Sequence, residues 1–401
     1  MIRKQVVITG IGLVTALGEG PDAHWDALSA GTEAVQRTAA VVDNDTYAPW
    51  PVHPLPPLTL DRQIPKKGDQ RQMEPWQRLG TYAAGLAIDD AGARALVDDM
   101  HLIVAAGGGE RDLALDEQVN AELAEANDGA RLNELLATGL RPTLFLAQLS
   151  NLLAGNISIV HGVTGSSRTF MGEESAAADA LRIAHARLSE GRGGIALVGG
   201  AMTAQRWDLL LLYRGADGLW QGPHRPLSER ETPGQPTGGM VLGGMAGFLV
   251  LETEDHARAR GARILARLDA VATGAARRDA PGQSAATARA LLAQVAPDGV
   301  DAVISGATGT PASWAEEEAF LREVGAPVRR PGSLIGHGVE GAFPAHVALA
   351  ALALYRGGFY APMDPADAPI EAGTAPARIL VSGFGQWRGE ALATVSRPEP
   401  V

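Results

Sequence analysis

The chain of 401 residues contains no cysteine. That absence excludes disulfide bonds, thiolate metal ligands and a cysteine nucleophile. Basic residues are also few, since 34 Lys and Arg stand against 46 Asp and Glu, for a formal net charge of −12. Phosphate recognition needs a concentrated basic surface, so the composition argues against a nucleic-acid-binding protein. We interpret the short cluster of Lys66, Lys67 and Arg71 as a solvated loop, with a docking patch for an acidic partner as the alternative.

Long hydrophobic runs are missing as well. The longest apolar helix candidate, from His346 to Tyr355, is too short to span a bilayer. The apolar N-terminal run is interrupted by Thr9, Gly10 and Gly12, and no small-residue cleavage site follows it, so it does not read as a secretory signal. We therefore expect a cytoplasmic protein with no membrane span.

Apolar, β-branched runs alternate with Ala-rich helical patterns along the chain. This alternation predicts α/β layering around a largely buried sheet. A strand over "QVVITGIG" is followed by a helix that Pro21 and Asp22 open and Gly31 closes. The prolines between about 40 and 70 predict an irregular excursion and not a linker between domains.

A weak internal repeat is visible in the strand patterns. "DMHLIVAAGGGE" near residue 104 and "GVDAVISGATGTP" near residue 304 both describe a buried strand that runs into a loop of small residues. "IALVGGAM" at 195–202 is similarly paralleled by "RILVSGFG" at 378–385. The repeat predicts two related halves that divide just after "GMAGFLVLETEDHARARGARI".

Common cofactor and metal motifs are not present. Gly10 and Gly12 follow a strand, but Thr15 stands where a dinucleotide fingerprint has its third glycine. The nine histidines include no H-E-x-x-H, and the sequence has no G-x-S-x-G elbow. We expect no cofactor and no metal, and a serine hydrolase is disfavoured.

The stretch "GSSRTFMGEESAAADAL", from residue 165, reads as a strand, a sharp turn of small residues and a helix. Many enzymes place a nucleophile at such a turn, and here Glu174 occupies it. The simpler interpretation is an acidic residue of the first helical turn, which the helix dipole stabilises by roughly 0.3–1 kcal/mol. The local sequence leaves both interpretations open.

This stretch, "ISGATGTPASW" (304–314) and "SLIGHGVEGAFPAH" (333–346) follow one another in a characteristic order. With the opening "VVITGIGLVTALGEG", they make the chain similar, over essentially its whole length, to the elongating β-ketoacyl-(acyl carrier protein) synthases. The resemblance implies an α/β, thiolase-like fold of two similar halves in a five-layered αβαβα arrangement. We place the halves at residues 1–252 and 253–401.

The resemblance also assigns positions of a degenerate active site. Glu174 stands where the family's "ATACTSG" elbow has its nucleophilic cysteine. Gly306 replaces the histidine of "AHGTSTP". In the family's "KSMTGHLLGAAG" loop the histidine is kept as His337, whereas the lysine is replaced by Gly332. His337 could alternatively be an ordinary loop histidine with satisfied hydrogen bonds.

Two further positions of the family pattern have changed. Gly244 replaces the acidic residue of "GEGAG", and Ser382 replaces the first phenylalanine of the gating "FGFGG" loop, although Phe384 is retained. Because the nucleophile and half of the decarboxylation residues are gone together, the resemblance implies that no catalytic site is intact.

The changes resemble those of chain-length factors, the cysteine-less partners of active ketosynthases, whose "EQAGGLDAL" is similar to "EESAAADAL" here. The implied partners are a catalytic ketosynthase subunit and an acyl carrier protein, in a homo- or heterodimer. Dimer contacts are expected from the strand near 166–170 and from the segment 144–159. The alternative function is residual malonyl-carrier decarboxylation through His337.

The segments 68–87 and 140–174 are similar to ketosynthase-like proteins that alphaproteobacteria use to make the very long acyl chain of lipid A. For the site itself we predict that the Glu174 carboxylate points into the old reaction centre. A buried carboxylate needs a partner, so amides at the start of its helix, His337 or both should hold it.

Overall fold

The computed structural model describes residues 3–109, 111–126, 128–141, 144–230, 238–370 and 375–398. The strands are β1 (Val6–Thr15), β2 (Gly18–Glu19), β3 (Val52–His53), β4 (His101–Ala105), β5 (Ser167–Phe170), β6 (Ile195–Met202), β7 (Leu242–Gly243), β8 (Met245–Thr253), β9 (Ala266–Gly274), β10 (Ala302–Ser305), β11 (Val328–Arg329), β12 (Arg378–Phe384) and β13 (Glu390–Ser396). The helices are α1 (Gly20–Ser29), α2 (Thr32–Val41), α3 (Lys67–Gln72), α4 (Pro75–Asp90), α5 (Leu113–Ala126), α6 (Gly129–Gly139), α7 (Leu144–Ala147), α8 (Leu152–His161), α9 (Glu173–Ser189), α10 (Trp207–Gly215), α11 (Glu254–Ala259), α12 (Gln283–Val295), α13 (Pro311–Val324), α14 (Gly332–Ile335) and α15 (Ala342–Arg356).

The strands form two five-stranded units with the same topology. The first unit has the order β1-β8-β6-β4-β5 and the second has the order β9-β13-β12-β10-β11. If the five strands of each unit are numbered along the chain, both units have the spatial order 1-5-4-2-3. In both units the first two pairings in this order are antiparallel and the last two are parallel. A short pairing of β1 with β9 joins the two units.

The segments that looked like repeats in the sequence occupy equivalent places in these units. β4 and β10 are the second strands of their units, and β6 and β12 are the fourth. The prediction of two similar α/β halves is therefore confirmed. The boundary at residue 252 lies at the end of β8 and stays a prediction.

The helices complete five layers. α9 and α15 pack between the two sheet units and share one hydrophobic core with strands of both halves. α4 and α8 cover the outer face of the first unit, and α12 and α13 cover the outer face of the second. The order is therefore helix, sheet, central helices, sheet, helix. α15 is buried at every position from Ala342 to Leu354, which explains its nearly continuous apolar sequence.

Gly10 and Gly12 have a packing role in β1. A Cβ at Gly12 would lie 1.9 Å from the carbonyl oxygen of Ala83, and one at Gly10 would lie 2.4 Å from that of Ala87. Helix α4 thus lies directly on the strand, at a separation that only glycine allows. This contact explains both glycines without a nucleotide.

The outer edges of the two halves differ. β5 is the edge strand of the first half, and its Ser167 and Arg168 are exposed. β11 is the edge strand of the second half, and there Arg329 is buried. Its guanidinium donates to the carbonyl oxygens of Tyr360 and Ala368, at 2.7 and 2.9 Å, so that the segment after α15 is fastened to this edge.

The proline-rich excursion is largely irregular, but β3 in it pairs in parallel with β7 over two residues and forms a separate small sheet, which the sequence did not predict. The interpretation of Lys66, Lys67 and Arg71 as a loop is wrong, because α3 begins at Lys67, although all three side chains are exposed to solvent. Within the described part of the chain, no helix is both long enough and apolar enough to cross a membrane.

Candidate functional site

The predicted strand, turn and helix around Glu174 are present. β5 ends at Phe170, the turn passes through Gly172 with φ of 130°, and α9 begins at Glu173. Glu173 itself has φ of 51°, a left-handed conformation that is uncommon for a residue with a side chain. Such strain is characteristic of functional turns, and here it directs the next residue, Glu174, into the space between the two halves.

His337 reaches the same space from the loop between α14 and α15. Its backbone is fixed on both sides, because its amide donates to the Val241 carbonyl at 2.8 Å and its carbonyl accepts from the Gly243 amide at 3.0 Å. The His337 side chain is only 4% exposed. The loop is therefore held by the strand segment that precedes β8, and the imidazole has little freedom to move.

The carboxylate and the imidazole meet as the sequence predicts. His337 Nε2 donates to Glu174 Oε1 at 3.0 Å, and the Gln386 amide lies 3.4 Å from the same oxygen. Burial raises the pKa of Glu174, but the hydrogen bond and charge of His337, with the amides of Glu174 and Gln386, outweigh it and hold the pKa below its ordinary value. The second oxygen, Oε2, has no hydrogen-bond partner.

A small cavity surrounds this pair. It is lined by both side chains and by Gly306, Ser382 and Phe384, among others. The space that a water-sized sphere can occupy in it is about 20 Å³. One water molecule needs roughly 10–15 Å³ on this measure, so the cavity holds little more than a single water. An acyl chain does not fit beside the pair in this conformation.

Gly306 has no room for a larger side chain. A Cβ there would lie 2.5 Å from the Ser382 carbonyl oxygen and 3.3 Å from His346 Nδ1. An imidazole at this position would therefore require the neighbouring strand to move. The packing matches the absence of a histidine at 306.

His346 is a site residue that the sequence analysis missed. It lies on α15, lines the cavity and is only 3% exposed. Neither of its ring nitrogens has a hydrogen-bond partner. Burial, assisted by the charge of His337, lowers the pKa of His346 to about 3. The available signal was a single histidine within an apolar helix, "FPAHVALA".

Glu317 on α13 was also missed. Its Oε1 accepts hydrogen bonds from Ser305 Oγ at 2.9 Å and from Ser382 Oγ at 2.6 Å. Burial raises the pKa of Glu317 to about 7, because the two hydroxyls compensate only part of the desolvation. Ser382, the predicted gating position, thus connects the small cavity to a second buried carboxyl group.

Of the three remaining predicted positions, Phe384 lines the cavity and Gly332 and Gly244 do not. Phe384 lines the cavity and packs against Phe320, with ring centroids 5.8 Å apart. Gly332 begins α14, where a Cβ would approach the Ala307 carbonyl and Leu227. Gly244 lies against Leu55, and neither glycine lines the cavity. No group of three or more metal-ligating side chains is present among the described residues.

The layered fold, the strained turn at the start of a central helix and the histidine loop opposite it define a ketosynthase-like protein. Residues 3–257 match the family described as Beta-ketoacyl synthase, N-terminal domain, so the chain belongs to the β-ketoacyl synthase family.

Curated relatives and a solved structure agree with this assignment. The 3-oxoacyl-(acyl-carrier-protein) synthase 2 of Vibrio cholerae is 26% identical over 269 residues, which is 67% of this chain but only 62% of that protein. The tetracenomycin polyketide synthase ketoacyl synthase beta subunit of Streptomyces glaucescens is 28% identical over 377 residues, 87% of this chain and 85% of that one. The structure described as the ishigamide ketosynthase/chain length factor superposes with a TM-score of 0.78 at 20% identity, over 99% of this chain and 100% of that one. That likeness confirms the thiolase-like fold.

Proposed function

We propose that this protein is a non-condensing subunit of acyl chain synthesis that pairs with a cysteine-bearing ketosynthase, as a chain-length factor does. The observation that carries the proposal is the contact of Glu174 with His337, since the sequence resemblance assigns Glu174 to the position of the family's nucleophile. The carboxylate is held by the one retained histidine, in a cavity with room for about one water. The Glu174 carboxylate cannot form an acyl thioester, and it is not free to act as a base toward a substrate.

The exposed face beside β5 supports pairing with a second subunit. Ile159 on α8 is 72% exposed, and Met171 directly after β5 is 68% exposed. Phe145, on α7 in the same predicted contact segment, is 68% exposed. An edge strand flanked by large apolar side chains is a typical site of association, because the partner covers both the apolar surface and the unpaired backbone groups.

Co-purification tests this proposal. The tagged full-length chain, expressed in its native host, is expected to bring down an equimolar cysteine-bearing ketosynthase. Ile159→Lys should abolish that recovery. Val41→Lys is the matched control, because Val41 is a half-exposed residue also near the end of a helix but remote in sequence from β5. Recovery of a strictly monomeric chain, or equal recovery with both variants, contradicts the proposal.

The acyl carrier protein as a second partner, the cytoplasmic location and the lipid A pathway belong to the same proposal. An acyl-carrier donor should leave no covalent acyl group on the isolated chain, because Glu174, which the resemblance assigns to the position of the family's cysteine, is a carboxylate held by His337. Intact-mass spectrometry after incubation with acylated carrier protein measures this directly. A stoichiometric adduct would refute the non-condensing role.

A residual decarboxylase is the second candidate, and His346 is the observation that favours it. His346 and His337 together give the cavity two imidazoles, although position 306, where the family has a histidine, is a glycine. Decarboxylation of a malonyl-carrier would release CO₂ and place a proton on the remaining carbon, giving an acetyl-carrier. Formation of acetyl-carrier by the wild type and its loss in His346→Leu would support this candidate, whereas no acetyl-carrier above the uncatalysed rate would exclude it.

A further inference from the structure

A second pocket lies on the other side of the His337 loop. Its volume is about 190 Å³, several times that of the cavity around Glu174. The start of α9 and the loop that carries His337 contribute residues to both spaces. Glu174 and His337 line the small cavity, whereas their near neighbours Glu173 and Glu340 line the larger pocket.

Glu340 is the unusual group in this pocket. It is 7% exposed, and within the described part of the chain the hydrogen bond to its carboxyl group comes from its own backbone amide. Its Oε1 would lie 2.5 Å from a Cβ on Gly107, a glycine of the pocket wall. Burial, with the nearby charges of Glu174 and Glu173, raises the pKa of Glu340 to about 7. A buried carboxyl group that receives only its own backbone amide, in the wall of an open pocket, can take a second partner from outside.

The charged groups around Glu340 leave its charge uncompensated. Arg206 lines the pocket, but its guanidinium is already bound by Asp208, at 2.6 Å, and by the Gly109 carbonyl. Glu173 faces Arg388 at 3.3 Å. The charges that act on Glu340 are therefore the carboxylates of Glu174 and Glu173 and the guanidinium of Arg206, which is already paired with Asp208. The hydroxyl of Tyr213 is also within electrostatic range of Glu340. The pocket has an excess of negative charge.

The rest of the wall is apolar and aromatic. Tyr213 and Trp387 are stacked with ring centroids 4.8 Å apart and an interplanar angle of 9°. Met202, Leu209 and Val339 complete much of the lining. Aromatic faces attract cations as well as apolar groups, so this wall suits a ligand that has both.

The backbone at the pocket is strained on both sides. Val339, immediately before Glu340, has φ of 41°, which is a genuine outlier for a β-branched residue. Glu173 on the opposite wall has φ of 51°. Val339 lies between His337, which lines the small cavity, and Glu340, which lines the larger pocket. Backbone strain that is retained at such a position is often found at functional sites.

We propose that this pocket binds an organic cation, an ammonium group on a compact apolar body, with the ammonium at Glu340 and the body against the aromatic wall. A saturated acyl chain would leave the carboxyl group of Glu340 without a second partner in a dry pocket, which is unfavourable. The inference concerns the residues of this chain, one of which, Met171, also belongs to the exposed face proposed above for pairing.

Binding of three probes of equal length tests the proposal on the full chain. n-Hexylamine, hexan-1-ol and hexanoate are titrated by calorimetry at pH 8, where hexylamine is cationic. Hexylamine should bind about ten-fold more tightly than hexanol, the amount expected of one charge-assisted hydrogen bond. Its affinity should rise between pH 6 and pH 8 as Glu340 loses its proton. Equal binding of hexylamine and hexanol, or tighter binding of hexanoate, overturns the proposal.

Three variants locate the binding. Glu340→Gln, which keeps the shape, should remove the preference for hexylamine and its pH dependence. Glu323→Gln, an exposed glutamate remote from the pocket lining, should leave both unchanged. Gly107→Ala should weaken all three probes, because the added methyl group projects toward Glu340. Retention of the preference in Glu340→Gln, or of full hexylamine affinity in Gly107→Ala, places the binding elsewhere and refutes the assignment.

Discussion

Two buried carboxyl groups, Glu174 in the lining of the small cavity and Glu317 bonded to the lining residue Ser382, behave differently. Glu174 contacts an imidazole that can carry a positive charge, and its pKa is lowered. Glu317 receives only two serine hydroxyls, and its pKa is raised to about 7. Both groups are removed from water, so the difference lies in their partners, which are an imidazole and a backbone amide for Glu174 and two hydroxyls for Glu317.

The comparison also separates two roles. In the function proposed above, Glu174 takes the position of the family's nucleophile and keeps His337 engaged. Glu317 links β10 and β12 through Ser305 and Ser382. On that proposal one acid closes a reaction centre, and the other holds together two strands beside it.

Removal of the imidazole that contacts Glu174 should have the largest effect. His337→Ala is expected to lower the free energy of unfolding by about 2–4 kcal/mol at pH 8, because it leaves a buried carboxylate unpaired. The loss should shrink toward pH 4. An acid with a lowered folded-state pKa stabilises the protein above its ordinary pKa and loses that contribution as the pH falls.

Urea denaturation of three variants measures this effect. Glu174→Gln combined with His337→Ala should recover most of the stability that His337→Ala loses, since no unpaired charge remains. If the double variant is as unstable as His337→Ala alone, the loss comes from packing and the ion pair is not its cause.

Glu317 should show the opposite sign. Glu317→Gln is expected to raise the free energy of unfolding by about 1–3 kcal/mol at pH 8 and to change it little at pH 5. The folded protein holds this proton up to about pH 7 and the unfolded chain releases it near 4.5. Wild-type stability therefore falls as the pH rises through this window. A variant that is destabilised equally at both pH values would show that the two seryl hydrogen bonds need a carboxylate.

His346 extends the comparison to a base. His346→Leu is expected to raise stability by about 1 kcal/mol at pH 7, since it removes a buried polar ring without partners. The gain should be larger at pH 5, where the unfolded chain binds a proton that the folded state, with a His346 pKa of about 3, does not.

His101→Leu is the control for that measurement, because His101 makes hydrogen bonds to Ser166 Oγ and the Arg192 carbonyl. Thermal unfolding should show a loss of stability for this control. A loss for His346→Leu at both pH values would indicate that an ordered water in the cavity satisfies the imidazole.

The smallest effect concerns the turn before Glu174. Glu173→Gly should be about 0.5–1 kcal/mol more stable than Glu173→Ala, since both lose the ion pair with Arg388 but only glycine accepts φ of 51° without strain. Equal stability of the two variants, compared by chemical denaturation, would mean that the turn relaxes when the side chain is shortened.

Much of the fold and the central pair of the site could be predicted from the sequence. The apolar strands near 104, 198, 304 and 380 repeat in order, and the structure places them at equivalent positions in two sheet units. Glu174 and His337 were found because the start of α9 and the loop between α14 and α15 resemble motifs of one family. In the structure the backbone of His337 is fixed by Val241 and Gly243, and its side chain meets Glu174.

His346, Glu317 and Glu340 could not be found in this way. His346 and Glu317 lie on helices, and Glu340 lies in a single helical turn. The direction of such a side chain depends on how the helix rotates against its neighbours. Burial of a charged residue also leaves no local trace in the sequence, because the compensating groups come from distant segments, as Ser382 does for Glu317.

The unequal edges of the two halves limit how far the protein can assemble. A chain with two open and equivalent edge strands could add a further copy at each end and grow into a fibre. Here Arg329 fastens the segment after α15 to the edge at β11, while the edge at β5 is open. In the pairing proposed above, association through the edge at β5 uses the open edge of each subunit, and assembly through sheet edges would end at two subunits.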